Sequence, residues 1–506
     1  MDIDPVSISR LQFAFTVSFH IIFPAFTIGL AAWLATLEGL SLVTGRTIYR
    51  RLFDFWLKVF AVAFGLGVVS GLVMAFQFGT NWGELATRAG PIQGPLLAYE
   101  SFTAFLLEAT FFGVLLFGRD RVPGWAYFLS TLMVALGTTF SAFWIMANNS
   151  WMQVPVGYEL VDGIFTPRDW AEILLDPVLW VRFPHMLLGA YLTTAFCVAA
   201  TGAWYLLRDR HLGEARVMLG MGLGIAAVLI PVQILFGHLN GEYTAEHQLS
   251  KFTTIEGRWQ TEQPARLILF AWPDSAEERN RFEIALPYLG SFVDQGNFTA
   301  EEPGIVTVPA EDRPPFLIPF YGFRIMVGLG LVMLVLSWGG VLLTLRGRFR
   351  RPRPGPRWFL WATFLAWPSG FIAVLTGWLT AEVGRQPWVV FEAMHTAEAV
   401  TPSLSSGAAL TSLTAYFLVY ALIFSAGTLY LYRLLREGPL DDGSGSEGGP
   451  PAAARPAARS DFNPGRPLAV GGPLPAAEPQ ATKKTSAPTT RPAQRRHKPG
   501  LDGGAA

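Results

Sequence analysis

The sequence predicts an all-α protein, a polytopic bundle of about nine transmembrane helices. Of its 506 residues, 51% are hydrophobic and only 15% are charged, which is more apolar than a soluble surface tolerates. Runs of roughly 20 mainly apolar residues, the length that crosses a bilayer, recur along the chain. No run alternates as a barrel strand would, so backbone groups must pair within helices.

The predicted spans follow one another through short charged loops. They lie near residues 11–39, 52–79, 96–119, 123–148, 180–207, 215–239, 321–345, 357–381 and 408–435. The acidic start MDIDPVSISR lacks a basic n-region, so we expect no cleavable signal peptide. Residues 1–436 are predicted to form one membrane domain.

Arginines in alternate loops set the predicted orientation. These loops hold Arg46, Arg50 and Arg51, then Arg119 and Arg121, then Arg208, Arg210 and Arg216, then six arginines from Arg346 to Arg357. Short loops rich in Lys and Arg stay in the cytoplasm. The N-terminus is therefore predicted to lie outside and the C-terminus, after an odd number of crossings, in the cytoplasm.

Two segments differ in composition from the spans. Residues 240–318 carry thirteen acidic against six basic residues, with many aromatics and prolines, and are predicted to form a folded external loop. Residues 437–506 are rich in Pro, Ala, Gly and Ser and are predicted to be a disordered cytoplasmic tail.

Histidines limit the metal chemistry that is possible. The chain has seven, and no two share a predicted span, which argues against a haem-copper centre and a bc-type haem pair. The single Cys197 excludes intrachain disulfides and an iron–sulfur cluster built from this chain alone. His20 and His185 are solitary in apolar surroundings, where a hydrogen-bonded structural role and axial haem ligation both remain open.

Further polar side chains lie inside predicted spans. Met326 is at the predicted depth of His185 and has Arg324 two residues away, so it is a candidate second axial ligand, although most such methionines only pack. Glu100 and Glu108 are eight residues apart, about 80° around an α-helix, so both can face one interior lane. A single membrane carboxylate can be a structural hydrogen-bonding group, whereas two in one helix suggest a proton relay or an acid beside a haem.

The stretch GWLTAEVGRQPW, Gly377 to Trp388, places Glu382 where a helix should still be in lipid. A ferric iron would compensate the charge of a carboxylate ligand. Arg385, one turn on, can then meet a haem propionate. Simple pairing of Glu382 with Arg385 at a helix end is the alternative.

Six motifs now carry a family resemblance. They are SRLQFAFTVSFH, YESFTAFLLE, FPH, KFTTIEGRWQT, GFRIM and GWLTAEVGRQPW. The chain resembles subunit I of cytochrome bd quinol oxidase, a family of bacterial terminal oxidases, over nearly all of residues 1–436. The short stretch between His185 and Met326 is similar to that of the short-Q-loop members, which include the cyanide-insensitive oxidases.

The resemblance implies roles for single residues. His185 and Met326 match the axial ligands of a low-spin haem b, and Arg324 the arginine beside it. His20 and Glu382 match ligands of two high-spin haems, one b-type and the other haem d or a further haem b, without an individual assignment. Glu100 and Glu108 match carboxylates linked to haem binding and proton delivery, Trp378 an aromatic near the haems, and Lys251 and Glu256 the quinol-binding residues of the external Q-loop.

The implied activity is quinol oxidation outside and oxygen reduction to water through three haems, with protons for water drawn from the cytoplasm and no pump. The resemblance also implies a bacterial inner-membrane location, a membrane subunit II and, in some members, a small accessory subunit. No nucleic-acid partner is expected. Two alternatives stay open: a haem-b electron carrier without oxygen chemistry, and a proton-coupled transporter, for which inverted repeats would be expected.

Overall fold

The computed structural model describes residues 4–349 and 355–439. Within them, nine helices are long and apolar enough to cross a membrane. In chain order these spans are Pro5–Thr44, Thr47–Thr80, Gly90–Phe117, Gly124–Gln153, Pro177–Leu207, Leu212–His247, Leu317–Leu345, Arg357–Val383 and Ser406–Glu437. The nine predicted spans are confirmed, and most helices extend past their apolar run. The predicted tail lies outside the described residues from position 440 onward.

Two spans depart from a continuous α-helix. The third contains a π-helical turn at Glu100–Phe105, between the α-helical segments Gly90–Tyr99 and Leu106–Phe117. The eighth is broken into Arg357–Leu365 and Ser369–Val383. The break ends at Pro368, whose ring disfavours helical geometry in the residue before it.

Short strands occur in the segments between spans, where the sequence predicted none. They form three antiparallel hairpins: Tyr158–Val161 with Ile164–Pro167, Leu267–Asp274 with Arg279–Leu286, and Trp388–Val390 with Met394–His395. All lie outside the spans, so the membrane part is helical.

The predicted external loop is folded. The sixth span runs to His247, two turns past the predicted 239, and the loop therefore begins later than expected. It contains the helix Leu249–Glu256, the hairpin at residues 267–286 and the helix Leu289–Gln295. Trp259 stacks on Phe316 with ring centroids 4.0 Å apart, which fixes the end of the loop near its start.

The fifth span is the centre of the bundle, and its neighbours approach it at glycines. A Cβ at Gly29 of the first span would lie 2.4 Å from the Thr194 hydroxyl, and one at Gly222 of the sixth would lie 2.6 Å from the Ala195 carbonyl. A Cβ at Gly370 of the eighth span would be equally close to the fifth. Helices in membranes pack closely through such small residues.

The arginine-rich loops come together at one end of the bundle. Arg119 pairs with the buried Glu38 at 2.8 Å, and Arg51 with Glu214 at 2.5 Å. Arg210 donates hydrogen bonds to carbonyls in the last turn of the ninth span. The alternation of loops is thus as predicted, and the membrane side that this end faces stays a prediction.

Candidate functional site

Glu382 lies in the last turn of the eighth span, within a network of polar side chains. Its Oε2 accepts a hydrogen bond from Arg385 at 2.5 Å. Its Oε1 accepts from Asn149 at 2.9 Å and from Gln153 at 3.1 Å. Arg182 donates to the Asn149 side-chain oxygen at 2.6 Å. The pairing of Glu382 with Arg385, which was the alternative expected from the sequence, therefore exists. The other carboxylate oxygen, Oε1, accepts from amides, and an iron could replace these donors.

Two side chains beside Glu382 hold three buried nitrogen donors without partners among the described residues. Arg385 is 5% exposed, and its Nε and Nη1 have no hydrogen bond to described residues. Burial lowers the pKa of this guanidinium, partly offset by Glu382. The indole Nε1 of Trp378, one turn before Glu382, is also unpartnered. Buried donors are normally satisfied, so this site requires an acceptor-rich group.

His185 and Met326 each lie against a glycine of a neighbouring span. A Cβ at Gly237 would be 3.3 Å from His185 Cε1, and a Cβ at Gly377 would be 2.7 Å from the Met326 sulfur. The His185 Nδ1 is buried without a partner, while Nε2 lies 3.4 Å from the Gln233 amide nitrogen. Met326 therefore packs against the eighth span at Gly377.

His20 is held from the second span. Its Nδ1 lies 3.0 Å from the Ser70 hydroxyl, and a Cβ at Gly71 would be 3.1 Å from its Cε1. A ring fixed through one nitrogen presents the other in a defined direction. No described contact joins His20 to the network around Glu382.

Glu100 and Glu108 both face the fourth span. Ser141 donates to Glu100 at 2.8 Å, and a Cβ at Gly137, one turn away, would lie 2.7 Å from Glu108 Cγ. The π turn between the two carboxylates absorbs one extra residue, so their phase is that of about seven α-helical residues, close to two full turns. Both carboxylates therefore lie on the same side of the helix. The offset of about 80° expected of an unbroken α-helix does not occur.

Arg324 is engaged by the external loop. It donates to the carbonyls of Ile255 at 2.7 Å, Ile268 at 2.6 Å and Glu256 at 3.2 Å, and its guanidinium lies over the Phe320 ring. It therefore ties the seventh span to the loop. Its place beside the low-spin haem b stays a prediction.

Lys251 is buried instead of solvated. It donates to Gln153 at 2.5 Å and to Gln248 at 2.6 Å, and Gln248 in turn donates to Gln153. Burial, together with the cations Arg182 and Arg385, lowers the Lys251 pKa well below its ordinary value. Gln153 thus links Lys251 to Glu382 through two hydrogen bonds.

The comparisons with known proteins agree over most of the chain. The family described as Cytochrome bd terminal oxidase subunit I matches residues 8–439. The chain belongs to this family. The Bacillus subtilis (strain 168) cytochrome bd ubiquinol oxidase subunit 1 is 35% identical, with 85% of this chain and 92% of the relative covered. The Escherichia coli (strain K12) cytochrome bd-II ubiquinol oxidase subunit 1 is 32% identical, with 86% and 97% covered.

A solved structure has the same fold. The bd oxidase from Geobacillus thermodenitrificans matches with a TM-score of 0.79 and 29% identity, covering 86% of this chain and 99% of that one. As a cytochrome bd subunit I with nine apolar spans, this chain is a multi-pass protein of the bacterial inner membrane that takes part in electron transport.

Haem cofactors are implied by the cytochrome bd family, and the residues present fit them. The unpartnered nitrogens of Arg385 and Trp378 are donors that propionates could satisfy. His185 and Met326 supply the imidazole and thioether that a six-coordinate haem takes. Gly237 and Gly377 let these two side chains lie directly against the neighbouring spans, where a Cβ would clash with them.

Several polar residues of the cytochrome bd site were not predicted from the sequence. They are Asn149, Gln153, Arg182, Gln248 and Arg258. Arg182 could have been found, because a charge inside an apolar run is itself a signal. The amides could not, since nothing local distinguishes a buried glutamine that bridges distant segments from one that caps a helix.

Proposed function

We propose that this chain is the large subunit of an electrogenic quinol:oxygen oxidoreductase that oxidises ubiquinol or menaquinol on the outer side of the membrane and reduces oxygen to water. Quinol protons leave on the outer side, and the protons for water come from the cytoplasm. Charge therefore crosses the membrane without a pump.

Three haems would be held by the residues described. His185 and Met326 hold a low-spin haem b, and Arg324 lies beside it. His20 and Glu382 hold two high-spin haems, one of them haem b and the other haem d or a further haem b. When bound, the haems supply electron transfer and oxygen reduction, and the protein supplies ligands and proton paths.

The buried donors beside Glu382 are the observation that carries this proposal. Arg385 has one nitrogen on Glu382 and two without a partner, and Trp378 adds a third free donor nearby. A proton-coupled transporter needs no acceptor-rich group at such a place. An anionic cofactor edge accounts for all three donors together with the carboxylate ligand.

Quinol chemistry is assigned to the helix Leu249–Glu256. Lys251 can hold a quinol oxygen with the N–H groups that it donates to two amide oxygens in this structure. Glu256 is buried, and burial together with Asp294 raises its pKa to about 7, so it can take a proton near neutral pH. Both residues therefore suit a substrate that gives up protons.

Proton delivery to the oxygen site is assigned to Glu100 and Glu108. Both face one strip of the fourth span, and Glu108 is buried. Carboxylates at two depths along one lane can pass protons through intervening water. The path would begin at the arginine-rich end, which is predicted to be cytoplasmic.

A membrane subunit II completes the oxidase, as the numbering of the relatives as subunit 1 implies. A small accessory subunit is a further proposed partner. Large apolar side chains face outward on several spans, for instance Phe102, Val335 and Leu422. These surfaces are suited to lipid and to a second helical subunit.

The test is a reduced-minus-oxidised spectrum of the purified two-subunit complex, with haem extraction and a quinol-dependent oxygen-uptake assay. Three haems per complex, both low- and high-spin bands and oxygen uptake are expected. A low-spin signal alone would favour the electron-carrier alternative, and a complex without haem would favour the transporter.

A further inference from the structure

A buried cluster of charges lies on the external loop, on the side of Glu256. Arg258 is fully buried and meets three carboxylates. Its Nη2 contacts both Asp294 and, at 3.6 Å, Glu256, and its Nη1 lies 3.4 Å from Glu302. Arg258 Nε and Glu302 Oε1 are buried without partners. Glu256 and Asp294 thus share one guanidinium nitrogen.

The cluster holds more carboxylates than cations. Arg324 is the other cation facing Glu256, so two positive groups meet Glu256, Asp294 and Glu302. Burial raises the pKa of all three carboxyl groups, and the charge of Asp294 raises that of Glu256 further. Carboxyl groups held around one guanidinium in this way can exchange a proton between them.

A cavity opens directly on this cluster. It has a volume of about 740 Å³ and is lined by His238, Glu242 and residues 292–296, which include Asp294. His238 lies 3.3 Å from Glu242, and both side chains are about half exposed. Asp294 therefore belongs to the buried cluster on one side and to an open cavity on the other.

The opposite side of the helix Leu249–Glu256 carries Lys251. Lys251 and Glu256 are five residues apart, about 140° around the helix. Lys251 faces Gln153 and Gln248, whose side chains are buried. Among the described residues, the carboxylates that act on Glu256 are Asp294 and Glu302, and both contact Arg258.

We propose that Asp294 is a proton-relay residue that carries quinol protons from Glu256 to the cavity at His238 and Glu242. This inference rests on the proposed function of Glu256 as proton acceptor. The quinol O–H bond breaks as a carboxyl O–H bond forms on Glu256, while the electrons leave to the oxidase's redox cofactors. The proton then exchanges to Asp294 across the shared Arg258 nitrogen, with Glu302 as a reserve acceptor, and passes to cavity water.

Asp294→Asn in the complete haem-loaded oxidase tests the relay, with Asp274→Asn as matched control. Asp274 is also ion-paired with an arginine, Arg281 at 2.5 Å, on the same external loop but outside the cluster. We expect Asp294→Asn to lower kcat at least tenfold, to change the quinol KM less than twofold and to enlarge the solvent deuterium isotope effect. Haem content should be unchanged, Asp294→Glu should recover most of the rate, and the control should behave as the native enzyme.

Each other result overturns the relay. Native kcat and isotope effect in Asp294→Asn would show that protons leave elsewhere. Loss of haem or assembly, or failure of Asp294→Glu to recover activity, would show that Asp294 only holds the loop together. Glu256→Gln separates a failure of the relay from a failure of the proposed function. If Glu256→Gln is inactive while Asp294→Asn is normal, only the exit route is wrong. If both variants are normal, the quinol assignment is wrong as well.

Discussion

Arg385 and Glu382 form a buried ion pair. Gln153 connects this pair to Lys251. Such a pair adds little net stability, because desolvation of both groups offsets their attraction, while removal of one partner leaves a costly unpaired charge. The unpartnered nitrogens of Arg385 increase that cost. Net stability therefore does not explain this arrangement, and binding of a cofactor does.

Glu382→Gln distinguishes iron ligation from simple pairing. Glutamine keeps the size of the side chain but removes the anion, and an amide is a poor ligand for ferric iron. We expect loss of one high-spin haem and of oxygen reduction, with the low-spin haem at His185 and Met326 retained. Haem extraction and the visible spectrum of the purified variant measure this. If Glu382 only pairs with Arg385, the variant should keep a full haem complement and near-normal turnover.

Met326→Leu tests the low-spin site. Leucine is apolar and of similar volume, so the substitution should cost less than about 1.5 kcal/mol in packing. We expect the low-spin signal to disappear or to become high-spin, while membrane insertion stays normal. The spectrum of the variant decides the matter, with Met333→Leu, a buried methionine two turns further along the same span, as control. An unchanged low-spin spectrum would exclude Met326 as a ligand.

Glu256 gives the quinol reaction a pH dependence. Its raised pKa, about 7, means that the group is mostly protonated below neutral pH and cannot accept a proton there. Quinol oxidation should therefore rise with pH through about 7, and Glu256→Gln should abolish the rise together with most of the rate. The same shift favours the folded state below pH 4.5, a contribution that is lost as pH rises to about 7.

Initial rates at saturating quinol, measured on either side of neutrality, check this expectation. Glu277→Gln is the matched control, since Glu277 is exposed on the same external loop. It should keep the native profile. A native rate that does not change through neutral pH would count against Glu256 as the proton acceptor.

Among the secondary-structure elements, the π turn in the third span determines the relative orientation of Glu100 and Glu108. An α-helix turns about 100° per residue, so one residue more or less rotates everything beyond it. The turn at Glu100–Phe105 absorbs one residue and keeps Glu100 and Glu108 on one strip. Its presence could not be read from YESFTAFLLE, because the same residues suit a regular α-helix.

One-residue changes within the turn test this role. Deletion of Phe102, which is 74% exposed, removes the extra residue and leaves the two carboxylates in phase. Insertion of an alanine after Phe102 adds a second extra residue and rotates them apart by about 100°. We expect the deletion to keep more haem and more oxygen uptake than the insertion. Equal loss in both variants would mean that the turn has another function.

The same limit on sequence reasoning applies elsewhere. The nine spans were predictable because lipid demands long apolar helices, and Glu382 was conspicuous because it interrupts one. The burial of Lys251 was not predictable, since the helix Leu249–Glu256 reaches Gln153, almost a hundred residues earlier, through tertiary contacts alone. Arg258 was missed for the same reason: its three partners come from both ends of the external loop.

For the whole molecule, the open question of sidedness has a direct test. The arginine-rich end is predicted to be cytoplasmic and the end that carries Lys251 external. In a Cys197→Ser background, a cysteine at the exposed Ser275 should react with an impermeant maleimide in right-side-out vesicles, and one at the exposed Asp209 only in inverted vesicles. The opposite pattern would reverse the proposed direction of proton release.

The close contacts of the fifth span bear on how the oxidase withstands heat. At Gly29, Gly222 and Gly370, three spans meet the fifth with no flexible side chain between them. The distances between these helices should change little as the surrounding lipid softens. At a glycine contact there is no side chain that could change rotamer and let the helices move apart or together. On warming, we expect the third, seventh and ninth spans, which are the least buried among the described residues, to loosen first. The separations among the first, fifth, sixth and eighth should persist until the bundle as a whole unfolds.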